Sequence, residues 1–425
     1  MHSCVSAVVD RSPGFSPTLS AFPRIILMFR FIQSLCRKLD QVCSIGFARM
    51  CDSNIGASPR PMVDQKLALS LLKELFPVSD SEDVVIVREL PSYDDRNFHM
   101  KLKLEESEQT TDCVLKVLHS QFSCSRPFLD AHAKLLVHLG NHGFRCPVPM
   151  SSRQGTLFCY VDLPHDLHDK PQHHAVALWG FVPGVAMASL CQRPSHDLLC
   201  HIGSYIADMH ACLSELEGSS TEAAIRERRL RWSTVEASNC RPGIPFIPDL
   251  ELRNIVERVL ERYEQELLPN LSSMPQGVVH GDLNESNIIV DPSRPDEVFG
   301  IIDTSDTIFG PYVVDLGTAM AYLSLLMIDG EESLVDAVAP IVRSYCAKRS
   351  LNKAERESLH LWMMTRQVQT AAFGYQAFAD DPDNEYILAS ARLVARGLPK
   401  LFAASPEDVL SSWFGDVEAP ADDQL

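Results

Sequence analysis

Between Asp64 and Gly184 apolar residues recur mostly at every second position or in short runs, and beyond Gly184 they recur at steps of three and four. The first texture predicts strands and the second predicts amphipathic helices. One helix opens the first region. Asp64 is placed to cap DQKLALSLLKELF, whose Leu67, Leu71, Leu72 and Leu75 share a face before Pro77 ends it. Strands are then expected over 84–90, 98–104 and 113–118. The second alternates through Phe98, Met100, Leu102 and Leu104, and the polar EESEQTTD after it forms a hairpin loop. A helix with Leu135, Leu136 and Leu139 on its inner side runs to Gly140 or Gly143. Two further strands, in LFCYVDL and HAVALWGFV, lead to Pro183-Gly184.

Past that dipeptide, DLLCHIGSYIADMHACLSEL carries Leu198, Ile202, Ile206, Met209, Leu213 and Leu216 on one face, and DLELRNIVERVLERYEQELLP repeats the pattern up to Pro269. A short strand, EVFGIID, follows, and mostly helix after it. The layout is an α+β chain: a small sheet-rich lobe with its joint over 61–184, and a large helical lobe over 185–415. Residues 1–60 form an extension and 416–425 an acidic tail, both outside the fold. Residues 1–50 hold six basic side chains (Arg11, Arg24, Arg30, Arg37, Lys38, Arg49) against Asp10 and Asp40. The run PRIILMFRFIQSLCRKL within them suits a basic amphipathic helix of the kind that targets mitochondria, with a plain extension of a cytoplasmic protein as the other reading.

Composition narrows the function classes. A formal net charge of −18 argues against a nucleic-acid backbone or an anionic membrane as the main partner. No apolar run reaches the length of a membrane span. The 13 cysteines are scattered without a C-x-x-C pair, which indicates neither a zinc site nor a disulfide framework and suits a reducing compartment.

The stretch VVHGDLNESNIIV, Val278 to Val290, is more polar between its apolar flanks than a turn requires. Asp282 and Asn287 stand five residues apart, so one loop aims both into the same cavity. Sixteen residues after Asn287, Asp303 ends the apolar run VFGIID. Mg²⁺ takes oxygen ligands, using one or two protein groups together with substrate phosphates. Asn287 and Asp303 suit that arrangement, which leaves Asp282 to accept a proton from an attacking hydroxyl. In the small lobe Lys116 stands mid-strand in VLKVL, where a buried cation requires an anion such as phosphate.

HGDLNESN followed by IID resembles the catalytic loop H-G-D-x-x-x-x-N and the metal-binding aspartate of the kinase-like phosphotransferases, which include aminoglycoside, choline and homoserine kinases. LPSYDDRNFHM, VLK, FVPG, IGSYIADMH and the segment Trp362–Gln369 are similar, within that superfamily, to the hydroxylysine kinase family, over roughly residues 60 to 415. The resemblance implies a bilobal protein-kinase-like fold and transfer of a nucleoside triphosphate γ-phosphoryl group, from GTP or ATP, to the hydroxyl of 5-hydroxylysine. By the same carry-over Asp282 is the base and Asn287 and Asp303 hold magnesium. Lys116 reaches the α/β-phosphates, Ser92 to Asn97 cover the nucleotide, and Phe181, Val182 and the rest of the joint to Gly184 underlie the purine. His280 braces the loop. Trp232 and Arg366 are candidates for the acceptor pocket, Arg366 for a bidentate contact with an amino acid carboxylate or else for a surface salt bridge.

Three departures from the family pattern stand out. Thr304-Ser305 replaces Phe-Gly after the metal aspartate, which motivates a non-catalytic nucleotide-binding protein as the competing reading. The helix that should pair Lys116 with a Glu offers Asp130. No G-x-G-x-x-G covers the phosphates, so the side chains of Ser92 or Asn97 must serve. Choline-, homoserine- and aminoglycoside-directed activities are alternatives within the enzyme class. The cluster PHDLHDKPQHH, with Pro164 and Pro171 bracketing His165 and His168, is expected to be a solvated loop and not a zinc site. Asp208 and Glu215 are expected on a solvated helix face, and Asp315 at a helix start.

Overall fold

The computed structural model describes residues 61–415, except 80–83, 91, 93–94, 106–108, 124, 166–167, 191–192, 381 and 383–387. The chain divides into Met1–Ser58 and Pro59–Leu425. The basic N-terminal stretch and the acidic tail lie outside the described residues.

Helix α1 (Gln65–Leu75) starts as its sequence predicts, with Asp64 accepting from Leu67 N at 2.7 Å. Strands β1 (Val85–Leu90), β2 (Arg96–Lys103), β3 (Thr110–Val117), β4 (Pro149–Met150), β5 (Cys159–His165) and β6 (His168–Gly180) form one antiparallel sheet ordered β1-β2-β3-β6-β4, with β5 also on β6. Alternation sorts its side chains. Phe98, Met100, Leu102, Cys113, Leu115, Val117, Val176 and Leu178 form a core with α1. Asn97, His99, Val114, Lys116 and Trp179 point the other way. Helix α2 (Arg126–Asn141) lies on that second face through Phe128, Leu129 and His132.

The histidine-rich cluster differs from expectation. It is not a loop: β5 and β6 run through it and pair His165 with His168. Pro164 is tolerated because β5 pairs only with β6 and the register slips between Leu163 and His165, and Pro171 because it lies before the part of β6, Val176 onward, that pairs with β3.

The chain enters the helical half at β7 (Val185–Ala186), which pairs with β9 (Ile288–Asp291). Gly184 makes that crossing at φ +116°, where a Cβ would meet Ile289 and Val290 at 2.7 Å. Helix α3 (His196–Ser214) buries the face predicted for it, including Leu198, Ile202, Ile206, Met209 and Leu213. The next amphipathic run is shorter than its pattern: the α-helix ends at Arg262, and wider and tighter turns continue to Ser273. Helices α4 (Val313–Leu325) and α5 (Lys353–Asp380) form the centre, and α5 is buried on all sides from Leu361 to Gly374. Among the described residues no helix is long and apolar enough to cross a membrane.

Four short strands hold the polar loops. β8 (Gln276–Val279) pairs with β11 (Ile308–Pro311), and β9 pairs with β10 (Arg294–Ile301). The loop 280–287 joins β8 to β9, and the loop 302–307 joins β10 to β11. Two ladders therefore bring both loops out side by side.

Candidate active site

Loop 280–287 is held from below by one acid. Asp315, fully buried in α4, accepts from His280 N and Gly281 N, each at 2.8 Å. Its Oδ2 also receives His210 Nε2 at 3.2 Å, and Tyr345 Oη donates to His210 Nδ1 at 2.8 Å. Burial opposes ionisation of Asp315, but these donors outweigh it and hold the carboxyl below its usual range. Asp315 was expected to tie down a helix start. It lies in the first turn of α4, yet it fastens the loop. Gly281 is required there: φ is +84°, and a Cβ would stand 2.2 Å from Asp306 O. His280 braces the loop. Its Nδ1 accepts from Asp282 N at 3.3 Å, which leaves Nε2–H to donate to Ile302 O at 3.1 Å.

On that base, Asp282 and Asn287 converge. Asn287 Nδ2 donates to Asp282 O at 2.8 Å and to its Oδ2 at 3.1 Å, and Asn284 Nδ2 reaches Oδ2 at 2.9 Å. Arg366 Nη2 donates to Asp282 Oδ1 at 2.7 Å and Nη1 to Trp232 O at 2.9 Å. Arg366 is only 2% exposed, which rules out a surface salt bridge. Its guanidinium lies 5.4 Å from the Trp232 ring centre, and Trp232 packs edge-on against Phe373. The two residues taken as acceptor-pocket candidates therefore meet beside Asp282. Arg366 spends its Nη atoms on protein groups, and the Tyr322 ring lies 5.5 Å from its guanidinium.

Ile302 N donates to Asn287 O at 2.9 Å, so the second loop begins where the first ends. Asp303 is the one non-glycine residue with positive φ among the described residues (φ 56°). The departure Thr304-Ser305 supports it. Ser305 Oγ donates to Asp303 Oδ1 at 2.6 Å, and buried Thr304 meets His132 Nε2 at 2.6 Å. Protein atoms crowd Asp303, yet half of its side-chain surface faces the cleft. Burial works against its charge, and Lys116, Ser305 and His280 overcome that to keep its pKa low.

Lys116 hangs from β3 above these loops, 2.9 Å from Asp95 Oδ2 and 3.9 Å from Asp303 Oδ1. Burial disfavours its charge, but the two aspartates raise its pKa and keep it an ammonium. The helix residue expected as partner, Asp130, points to solvent. The partner is Asp95, in the turn before β2, whose Oδ1 also accepts from His119 N at 2.7 Å. Two residues and about 200° around α2 from Asp130, His132 faces the site instead. Burial, with Lys116 and Arg228 nearby, pushes it down to about 3, so it is neutral. Asn97 pairs with Lys116 across the strands, and its Oδ1 is buried without a partner. Ser92 is half-buried nearby in the chain. At the joint, Phe181 stacks on His99, ring centres 4.0 Å apart and 5° from parallel, and Val182 is buried. Asp95 falls within the stretch Ser92 to Asn97 expected over the nucleotide, but nothing local marks it as the partner of Lys116, and His99, His132 and the Arg366–Asp282 bond have no local signal.

Whether the site fits a divalent cation can be judged from its charges. Asp282, Asp303 and Asp306 crowd one region, and burial, then Asp282 and Asp303, push Asp306 up to about 7. Three carboxylates repelling one another beside a donor set of carboxylate and amide oxygens match a hard cation. Asn287 and Asp303 would hold it, and it would neutralise charge on transferring phosphate oxygens.

A sheet-roofed cleft with a lysine above and an Asp…Asn…Asp set on two adjoining loops below is the arrangement of a kinase-like phosphotransferase. The Phosphotransferase enzyme family matches residues 88–351, more than half of the chain, and the chain belongs to it. It is a phosphotransferase that acts on a hydroxyl group of a small molecule. Among characterised relatives it is similar to the hydroxylysine kinase of Xenopus laevis, 27% identical across 84% of this chain and 94% of that protein. It also matches the homoserine kinase of Gluconobacter oxydans, 25% identical across 53% of this chain and 63% of that protein. In fold it resembles amicoumacin kinase, solved in complex with AMP-PNP, Ca²⁺ and Ami: TM-score 0.59, 16% identity, 82% of this chain and 97% of that one.

Proposed function

We propose that this chain transfers the γ-phosphoryl group of GTP or ATP to the side-chain hydroxyl of 5-hydroxylysine. The observation that carries the choice of acceptor is the extent of the likeness: the match to hydroxylysine kinase runs nearly end to end, while that to homoserine kinase stops at about two thirds. In this reading Asp282, oriented by Arg366, Asn284 and Asn287, accepts the proton of the acceptor hydroxyl. Lys116 exchanges Asp95 for the α/β-phosphates, with Ser92 and Asn97 beside it. Asn287 and Asp303 hold Mg²⁺. The purine lies against Phe181 and Val182; the 4.0 Å stack on His99 leaves no room for a base between those rings, so it takes an outer face or parts them. Arg366 and the Trp232 ring border the acceptor. Seven free cysteines among the described residues are in keeping with the cytoplasm. Imaging of the tagged full chain distinguishes this from mitochondrial import driven by the basic N-terminus.

The deciding experiment is an acceptor screen with Mg-GTP and Mg-ATP over 5-hydroxylysine, homoserine, choline and ethanolamine. We expect kcat/KM for 5-hydroxylysine to exceed the others by at least about 10-fold, the size of one or two well-placed polar contacts. Preference for homoserine or choline overturns the acceptor. Nucleotide binding without turnover on any of the four favours the non-catalytic reading that Thr304-Ser305 first suggested.

A further inference from the structure

We propose that His138, His142, Cys212 and Glu215 form a zinc-binding site that ties α2 to α3. His138 and His142 stand one turn apart at the end of α2, a spacing that puts both rings on one face. Cys212 and Glu215 stand three apart at the end of α3. Donor atoms of His138, His142 and Cys212 lie within 4.8 Å of one another. Glu215 Oε2 lies 3.0 Å from His142 Nε2 and 4.0 Å from His138 Nε2. A tetrahedral zinc with nitrogen ligands near 2.0 Å and sulfur near 2.3 Å needs donors about 3.3–3.8 Å apart, so the three donors must draw together by about 1 Å, and Glu215, which meets the histidines but stands outside that three-donor cluster, must turn toward Cys212. Two imidazoles, a thiol and a carboxylate select zinc over magnesium or calcium.

The hydrogen bond of His142 points the same way. His142 Nδ1 donates to His138 O at 2.9 Å, the outer contact that commonly orients a metal-bound histidine. With that proton on Nδ1, a neutral ring turns a lone pair toward the Glu215 carboxylate. A metal ion held by the ring nitrogen and the carboxylate together fits that contact. His138 Nε2 donates to Cys212 O at 2.9 Å and would move its proton to Nδ1 on binding. The location gives such an ion leverage. Helix α2 carries His132 to Thr304 and Lys116, and α3 carries His210 to Asp315. A bridge between their C-terminal ends fixes the roof helix to the floor.

The test uses the full chain, stripped with chelator and titrated with Zn²⁺, and with Co²⁺ as a spectroscopic probe. We expect one equivalent to bind with a thiolate-to-cobalt charge-transfer band and a rise in Tm of about 5 °C. His142→Ala and Cys212→Ser should each weaken binding at least about 100-fold, and Cys212→Ser should abolish the band. Cys146→Ser, a buried thiol that donates to Leu136 O, should leave both intact. His142 is exposed, so its variant carries the test if Cys212→Ser does not fold. Equal stoichiometry and affinity in parent and variants, or no Tm response to zinc, overturns the proposal and leaves a surface contact between His142 and Glu215.

Discussion

Asp315 and Asp306 are nine residues apart and both sit against the catalytic loop, yet their surroundings drive them in opposite directions. Asp315 is met by two backbone N–H groups and His210, and its pKa falls. Asp306 is pressed between Asp282 and Asp303 and rises to about 7. The protein neutralises the acid that builds the loop with its own donors. At the cleft mouth Asp282 has Arg366 and Asp303 has Lys116 and Ser305, but the crowding on Asp306 is left for something that arrives. Excess negative charge that the fold does not compensate marks where a cation and its phosphates are to bind.

Asp282→Asn removes the proton acceptor and should lower kcat by about 10²–10⁴-fold while nucleotide affinity, followed by calorimetry, changes little. Full retention of turnover would remove Asp282 from the chemistry and with it the contrast drawn here. Asp315→Asn strikes the structural side. Loss of a charged acceptor for two N–H groups should destabilise the fold by about 2–4 kcal/mol in urea unfolding, and a cost below 1 kcal/mol would mean the loop holds its shape unaided.

Asp306→Asn should do the reverse. Because the folded state raises this pKa, it binds more protons than the unfolded chain between about pH 4 and 7, and stability falls across that window as pH rises. The variant should therefore be more stable than the parent above pH 7, by about 1–2 kcal/mol without metal, and equal to it below pH 4. Added Mg²⁺ with nucleotide should shrink the gap, and a gap insensitive to pH would refute crowding as its cause. The smallest change is Thr304→Val, which leaves His132 without its hydrogen bond and should cost about 1 kcal/mol in the same unfolding assay.

Much of this site was legible because its parts are local. Asp282 and Asn287 share an eight-residue loop, Asp303 follows one hairpin later, and strand alternation alone aims Lys116 away from the α1 core. The rest depends on distance or on rotation. His132 replaces Asp130 at the site because two steps along a helix reverse the face. Arg366 reaches Asp282 across 84 residues, and Glu215, on a solvated helix face as expected, also meets the histidines of another helix.

The sequence by itself determined most of the elements and the chemistry of the catalytic loop, since hydrophobic period and short-range spacing act within a few residues of chain. Tertiary structure alone decided the partners: Asp95 for Lys116, Arg366 for Asp282, Asp315 for the loop backbone, His142 for Glu215. Hydrogen bonds and ion pairs form wherever packing brings complementary atoms within about 3 Å, and packing is set by how apolar faces meet across the whole chain.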